Sequence, residues 1–392
     1  MIKLIKSTFY REKATKKALT DFITNADMLS FNREGSKFEQ AFSAYQGRAE
    51  CIFVNSGSSA NLALIQALLN LGYLKPGDHV GFSAVTWSTN VMPLIQLGLK
   101  PVPIDIELDT LNISARQIKK VIKTQPIKAL FITHLLGLCD DLDTIVKVCK
   151  KNNIILIEDN CESLGSVYQG KKLGNFGLAS TFSFYVGHHL STIEGGMVTT
   201  DDLELARMLR LVRAHGWDRN LAEQDKKTLN QLFEINSEFY SRYTFFHLGY
   251  NFRPTEIAGF LGTYQLQFVD KIIKKRNENF LNLAPQLYSN PRYYPIRYDH
   301  MDFVSSFAFP LVCRRPQDRE LIVKKVAATV EIRPIVGGNM TEQPFYKNNT
   351  KRSWQPPTPN AMLIHHQGFY FGNNPELTAT ELKILARVFG TV

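Results

Sequence analysis

The chain has 392 residues, of which 44% are hydrophobic and 21% charged, a balance typical of a globular protein large enough for one large and one smaller domain. Its net charge of +10 is spread over helical stretches instead of one basic arm, which favours a phosphorylated small molecule over nucleic acid as the partner. No run reaches the roughly 18 apolar residues of a membrane span, and the five widely spaced cysteines argue against a disulfide framework. We therefore expect a cytoplasmic protein with reduced thiols and with neither a nucleic-acid nor a membrane partner.

Short apolar runs alternate with amphipathic stretches between residues 50 and 200. The runs "CIFV", "HVGFS", "KPVPIDI", "KALFITH" and "IILIED" predict strands, and the segments between them predict helices. This alternation indicates an α/β fold with a largely parallel sheet that is covered by helices on both faces. Ligands of such sheets bind at the carboxyl ends of the strands, so the residues that follow each run are the first candidates for a site.

The second part of the chain predicts a different arrangement. A helical stretch after residue 254 leads out of the first domain, and "FVSSFAFPLVC", "RELIVKKVAAT" and "VEIRPIVGG" then predict a smaller α+β domain. We place the large domain at residues 1–270 and the smaller one at 271–392.

The stretch "VNSGSSANLAL" follows the first predicted strand and begins a helix. Gly57 permits a tight turn, and the free amides near Gly57 and Ser58 favour a phosphate at the helix N-terminus. The same stretch also suits an ordinary N-cap formed by Ser56, Ser58 or Ser59, so by itself it does not decide between the two interpretations.

Two other strand ends carry side chains suited to an aromatic ligand. "VTWSTN" places Trp87 where its indole face can stack on a ring, and "ILIEDNCESLGS" ends a strand at Asp159, which can pair with a cationic heterocycle. The ordinary alternatives are a core aromatic and a helix cap. Metal binding would need further ligands, and the local sequence offers only Glu162, so we expect no metal.

The stretch "FSFYVGHHLSTIEGGMVTT" predicts two strands joined by a turn that carries His188 and His189. The turn is polar, and we expect it to lie outside the core. Together the three strand ends and this turn predict a phosphate site, an aromatic platform and an aspartate at one edge of one sheet.

These motifs resemble those of pyridoxal-phosphate (PLP) enzymes with the aspartate aminotransferase fold, and more narrowly the family of nucleotide-sugar aminotransferases and dehydratases. The resemblance implies a mostly parallel, seven-stranded sheet and makes residues 1–270 the domain that binds PLP or pyridoxamine phosphate (PMP). It implies that the cofactor phosphate binds to Gly57, Ser58 and Ser183, that Trp87 stacks on the ring, and that Asp159 contacts the ring nitrogen. Two further cofactor contacts are assigned to Glu162 and to Asn251, the latter from a second subunit.

His188 occupies the position at which the family has the lysine that binds the cofactor covalently. No lysine lies between Lys172 and Lys226, so no neighbour replaces it. An imidazole cannot form this link, but it can take up and return a proton, since its ordinary pKa is about 6.5. We therefore assign catalysis to His188 and expect PMP as the working cofactor. The alternative is a non-catalytic homologue that binds a nucleotide sugar.

Within the family, a histidine at this position is typical of sugar 3-dehydratases. One kind carries an iron–sulfur cluster on cysteines after the histidine, but only Cys313 follows His188 here, so we expect no cluster. The resemblance then implies removal of the 3-hydroxyl from a nucleotide-linked 4-keto-6-deoxyhexose, with GDP-4-keto-6-deoxy-D-mannose as the expected substrate. It implies that L-glutamate restores PMP, with release of 2-oxoglutarate and ammonia. The alternative is the same 3-dehydration, or a related transamination, of a CDP- or dTDP-linked keto sugar.

The same resemblance extends over "RAHGWDRNL", "GYNFRP", "VEIRPIVGGN" and "FYFGNN". It implies that His215 and Arg219 contact the sugar or its diphosphate, and that Glu331 and Arg333 reach the substrate from the partner subunit. We therefore expect a homodimer with shared active sites.

Overall fold

A computed structural model describes residues 1–350 and 355–390. Its main sheet has seven strands: β1 (Glu50–Val54), β2 (His79–Ser83), β3 (Lys100–Ile104), β4 (Ala129–Thr133), β5 (Ile155–Asp159), β8 (Ala179–Ser183) and β9 (Gly196–Thr200). Their order across the sheet is β1-β9-β8-β5-β4-β2-β3, and β9 runs antiparallel to both of its neighbours while the pairs from β8 to β3 are parallel. Two short strands, β6 (Val167–Tyr168) and β7 (Lys171–Lys172), form a separate ribbon.

Helices connect the strands and cover the sheet. In chain order they are α1 (Glu12–Asn25), α2 (Arg33–Gln46), α3 (Gly57–Asn70), α4 (Met92–Gln96), α5 (Ala115–Ile122), α6 (Leu142–Lys151), α7 (Leu203–Arg213), α8 (Glu223–Leu232), α9 (Glu238–Ser241), α10 (Glu256–Leu266) and α11 (Val269–Tyr288). Short 3-10 turns lie at Ser88–Asn90, Leu135–Gly137, Asp218–Asn220 and Met340–Glu342.

The core lies on both faces of the main sheet. Along β4, Leu130 and Ile132 belong to one buried cluster, whereas Ala129 and Phe131 belong to another on the opposite face. This alternation follows from the side-chain period of two, and it explains why the strands are continuous apolar runs. The predicted fold, a mostly parallel sheet between helical layers, is confirmed.

The C-terminal part has a sheet of its own. Strands β10 (Ala308–Val312), β12 (Gly368–Gly372) and β11 (Ile332–Arg333) pair antiparallel in that order, and α12 (Pro316–Val326), α13 (Pro344–Asn349), α14 (Pro359–Gln367) and α15 (Ala379–Phe389) accompany them. This sheet lies entirely after residue 270, although the boundary itself stays a prediction. The start of the chain lies next to the smaller sheet, because Ile2 forms a β-bridge with Val330, which lies just before β11.

No helix in the part of the chain that the structure describes is long and apolar enough to cross a membrane.

Candidate active site

A cavity of about 320 Å³ lies at the carboxyl ends of the strands of the main sheet. The side chains around it come from the start of α3, the ends of β5 and β8, the turn between β8 and β9, and the smaller domain. Eight of the residues predicted from the sequence line it: Gly57, Ser58, Trp87, Asp159, Glu162, Ser183, His188 and Arg333.

The start of α3 provides a cradle for an anion. Ser56 is the N-cap, and its hydroxyl accepts a hydrogen bond from the Ser59 amide at 3.0 Å. The next two amides, those of Gly57 and Ser58, have no partner within the helix because of their position at its N-terminus. A Cβ atom on Gly57 would lie 2.6 Å from the Cβ atom of Ser183, so only glycine leaves this space open. The N-cap therefore leaves the amides of Gly57 and Ser58 available, and this helix start fits a phosphate.

Asp159 is held at the end of β5 by three donors. Its Oδ2 atom accepts from Asn61 Nδ2 at 3.1 Å and from Asn90 Nδ2 at 2.7 Å, and its Oδ1 atom accepts from the Cys161 amide at 2.9 Å. Thr86 fixes Asn90 in turn by donating to its amide oxygen at 2.9 Å. The buried carboxylate keeps acceptor capacity on the cavity side, which suits a protonated ring nitrogen.

Trp87 and Glu162 border the same space. Trp87 precedes the 3-10 turn at residues 88–90 and is 54% exposed, so an indole face is available for stacking. Glu162 is buried, and its Oε2 atom accepts from the Leu136 amide at 2.7 Å. Burial raises the pKa of Glu162 to about 8, and the nearby charge of Asp159 acts in the same direction. Glu162 is therefore largely protonated at neutral pH and can donate a hydrogen bond into the cavity.

His188 lies in the turn between β8 and β9, where its ring meets the edges of Phe307 and Tyr185 at centroid distances of 5.8 and 6.1 Å. Its Nδ1 atom is buried and has no hydrogen-bond partner among residues 1–350 and 355–390. Loss of solvent lowers the pKa of His188 to about 4, although the charge of Asp159 opposes this effect. The imidazole is therefore neutral near pH 7 and can accept a proton.

The two adjacent histidines differ in their surroundings. His189 is buried, and its Nε2 atom donates to the Ser305 carbonyl at 2.7 Å, away from the cavity. The expectation that this turn lies outside the core is wrong for its second half, because His189 to Thr192 are all buried against neighbouring elements. Thr192 and Ser191 are tolerated there because Thr192 Oγ1 donates to the Glu194 carbonyl at 2.8 Å and Ser191 Oγ accepts from the Ile193 amide at 3.1 Å.

Arg333 was expected to come from a partner subunit, and this is wrong, since it lines the cavity of its own chain. Strand β11 pairs with β12 and brings Arg333 opposite Tyr370, which also lines the cavity. The guanidinium donates to Glu331 Oε1 at 2.7 Å, and the other carboxylate oxygen of Glu331 accepts from the Leu4 amide at 3.0 Å. The smaller domain thus closes one side of the site.

Four predicted residues do not line this cavity: Glu331, which accepts a hydrogen bond from the cavity-lining Arg333, and three residues that lie elsewhere. His215 and Arg219 are exposed near the end of α7, where Arg219 lies over the Trp217 ring at 5.3 Å. Asn251 is exposed as well and forms a β-bridge with Ala214. His215, Arg219 and Asn251 therefore lie in one region of the chain's surface, apart from His188.

Sequence reasoning missed several residues of the site. Asn61 and Asn90 belong to the stretches "SGSSAN" and "VTWSTN". Because both follow a predicted strand end, their position could have indicated that they lie at the site. Leu4, Phe307 and Tyr370 gave no local signal, because only the packing of the smaller domain brings them to the cavity.

Within the described ranges, no group of three or more histidine, cysteine, aspartate or glutamate side chains could hold a metal ion.

Comparison with known proteins agrees with this geometry. The family model described as the DegT/DnrJ/EryC1/StrS aminotransferase family matches residues 10–389. The chain belongs to this family. Among relatives of this DegT/DnrJ/EryC1/StrS member, the GDP-4-keto-6-deoxy-D-mannose 3-dehydratase of Yersinia pseudotuberculosis is 36% identical over 376 residues, which cover 93% of each chain.

Two solved structures resemble this family member over almost its whole length. One is the Escherichia coli GDP-4-keto-6-deoxy-D-mannose 3-dehydratase with bound hydrated PLP, at a TM-score of 0.89 and 31% identity, covering 99% of both chains. The other is a GDP-4-keto-6-deoxymannose 3-dehydratase with a trapped PLP-glutamate geminal diamine, also at 0.89 and 31%, covering 99% of this chain and 100% of that one.

Proposed function

We propose that this protein is a PMP-dependent 3-dehydratase that converts GDP-4-keto-6-deoxy-D-mannose to GDP-4-keto-3,6-dideoxy-D-mannose. The observation that carries the proposal is the neutral His188 at the position of the family's lysine, in a cavity that otherwise has the features of a PLP site. The similarity to 3-dehydratases of the same GDP-linked sugar supports this substrate.

The residues around the cavity fit the cofactor. The amides of Gly57 and Ser58 and the Ser183 hydroxyl would hold the phosphate, Trp87 would stack on the ring, and Asp159 would keep the ring nitrogen protonated. Glu162, being protonated, would donate a hydrogen bond to an acceptor atom of the cofactor. When bound, PMP supplies an amine that reacts with the sugar ketone and a ring that takes up electron density.

His188 supplies the acid–base chemistry. The imidazole can accept a proton and return it, and because the ring is neutral near pH 7, no prior deprotonation is needed. Since imidazole cannot replace a lysine as a covalent anchor, the cofactor is held only by non-covalent contacts. This arrangement favours loss of the hydroxyl over ordinary transamination.

L-Glutamate is the proposed cosubstrate that restores PMP, with release of 2-oxoglutarate, while the dehydration releases ammonia. The glutamate adduct in a similar dehydratase supports this assignment. We place the reaction in colitose synthesis for a lipopolysaccharide O-antigen, in the cytoplasm.

A homodimer with shared active sites accounts for the residues outside the cavity. Asn251 would reach the cofactor phosphate of the partner, and His215 and Arg219 would meet the sugar or its diphosphate there. The segment just before Asn251 carries large exposed apolar side chains that a second copy would cover: Leu232, Phe239, Tyr240, Tyr243, Phe245 and Leu248.

The nucleotide is tested by presenting 4-keto-6-deoxyhexoses linked to GDP, CDP or dTDP, together with glutamate and PLP, and comparing kcat/KM. We expect the GDP-linked sugar to be preferred, and a preference for either other nucleotide would contradict the assigned substrate. Formation of 2-oxoglutarate from glutamate in the same assay separates a catalyst from a protein that only binds nucleotide sugars.

A further inference from the structure

Arg276 is a buried arginine without a carboxylate partner. It lies on α11 and is 4% exposed, and no ion pair to it occurs among the residues the structure describes. Burial lowers the pKa of Arg276 to about 9, with no neighbouring acid to oppose the effect. An uncompensated buried charge is costly, so such a residue calls for a reason beyond packing.

The guanidinium is bound by backbone carbonyls instead. Its Nη2 atom donates to the carbonyl of His188 at 3.2 Å, and Nη1 donates to the carbonyls of Phe307, at 3.3 Å, and Asn373. Asn373 returns the contact by donating to the carbonyl of Arg276 at 2.8 Å. One side chain thus joins the turn that carries His188 to the smaller domain, whose Phe307 packs against the His188 ring.

We propose that Arg276 is a positioning residue for His188: its guanidinium fixes the turn that carries the imidazole against the smaller domain, and its unpaired charge acts electrostatically on that imidazole. This inference rests on the proposed function only in treating His188 as the base, since the contacts of Arg276 do not depend on which reaction is catalysed. Loss of solvent is the main cause that lowers the pKa of His188 and His189, and the positive charge of Arg276, bound at the His188 carbonyl, acts in the same direction.

Other charged or titratable groups also face His188. From the cavity side these are Asp159, Glu162, Glu194, Arg333, Tyr370 and Tyr185. Asp159 raises the pKa of His188, whereas Arg276, which is bound to the His188 carbonyl, lowers it. Removing a nearby charge changes a pKa by an amount that a titration can resolve, so the effect of Arg276 on His188 is measurable.

The test is the titration of His188 in the full-length protein as purified, followed by NMR of isotope-labelled histidine. The signal is assigned with a His188→Asn variant. In Arg276→Gln, which keeps a hydrogen-bond donor but loses the charge, we expect the His188 midpoint to rise by about one pH unit. A folded Arg276→Gln protein with the wild-type midpoint would overturn the proposal.

Arg213→Gln is the matched control. Arg213 is equally buried but pairs with Glu39 at 2.6 Å, so its loss should lower stability without moving the His188 midpoint. If Arg276→Gln does not fold, Arg276→Lys is the variant that tests the positioning role. It keeps a cation that cannot reach three carbonyls, so we expect an unchanged midpoint and a kcat lower by roughly tenfold or more. A wild-type kcat in this variant would overturn the positioning role.

The titration does not depend on turnover. If the proposed substrate proves wrong, the His188 midpoint still reports on Arg276. If Arg276 has no effect, the assigned reaction is untouched.

Discussion

His188 and His189 are neighbours with different expected roles. We predict that His188→Asn lowers kcat by roughly 10²–10⁴-fold, because asparagine cannot take up the proton, while the affinity for the cofactor changes little. Steady-state turnover and a fluorescence titration with PLP measure the two effects. His189→Asn is the control, since the loss of its bond to Ser305 should lower the melting temperature more than kcat. A His188→Asn variant with near wild-type kcat would exclude His188 as the base.

Glu162 makes the stability of the protein depend on pH. Its pKa is about 8 in the folded chain against an ordinary value of 4.5, so between these values the unfolded chain loses a proton that the folded chain retains. The contribution of Glu162 to stability is therefore complete below 4.5 and decreases as the pH rises towards 8.

We thus expect Glu162→Gln to gain thermal stability relative to wild type as the pH increases through this window. Melting temperatures of the cofactor-free proteins test this, with the exposed Glu320→Gln as the control for loss of a carboxylate. A constant difference between Glu162→Gln and wild type across the window would show that Glu162 is ionised when folded.

At the residue scale, the sequence predicted those site residues that can be recognised from their position in a local motif. Gly57, Ser58, Trp87 and Asp159 follow strand ends, and a parallel sheet brings strand ends together. The subunit that contributes Arg333 to the cavity was predicted wrongly, because this depends on how the smaller domain packs. The contact between Arg276 and the turn that carries His188 could not be predicted from the sequence either, because its hydrogen-bond partners are carbonyls of residues distant in sequence.

At the scale of elements, the junction between β1 and α3 is a sensitive point. A methyl group at position 57 would meet Ser183 at 2.6 Å, and relieving such an overlap costs about 1–3 kcal/mol. We expect Gly57→Ala to weaken PLP binding by about tenfold to a hundredfold, because the cradle must widen or the phosphate must move. Equilibrium dialysis measures this, with circular dichroism to confirm the fold. Unchanged affinity would contradict the assignment of the phosphate to this cradle.

The strands of the main sheet were predictable because each is an apolar run with both faces buried, as in β4. The reversed direction of β9 carries no such signal in its composition. It follows from the hairpin with β8, in which Ser183 pairs with Gly196. The same hairpin explains why half of the polar turn is buried.

At the scale of the whole molecule, the proposed homodimer with shared active sites predicts complementation between variants. His188→Asn and Asn251→Ala should each be strongly impaired. Mixed dimers of the two would contain one site with both defects and one intact site, so unfolding and refolding an equal mixture should recover about a quarter of the wild-type activity.

The control mixes His188→Asn with Asp159→Ala, which line the same cavity of one chain, and should recover nothing. Equal failure of both mixtures would mean that Asn251 serves the site of its own chain.

The central claim is that a site with His188 in place of lysine removes a hydroxyl instead of adding an amine. The most direct test is to incubate the protein with PLP, L-glutamate and GDP-4-keto-6-deoxy-D-mannose, and to determine the mass of the sugar product and the ammonia released. We expect a product that has lost one oxygen atom, together with ammonia. A 4-amino sugar, formed without release of ammonia, would contradict it.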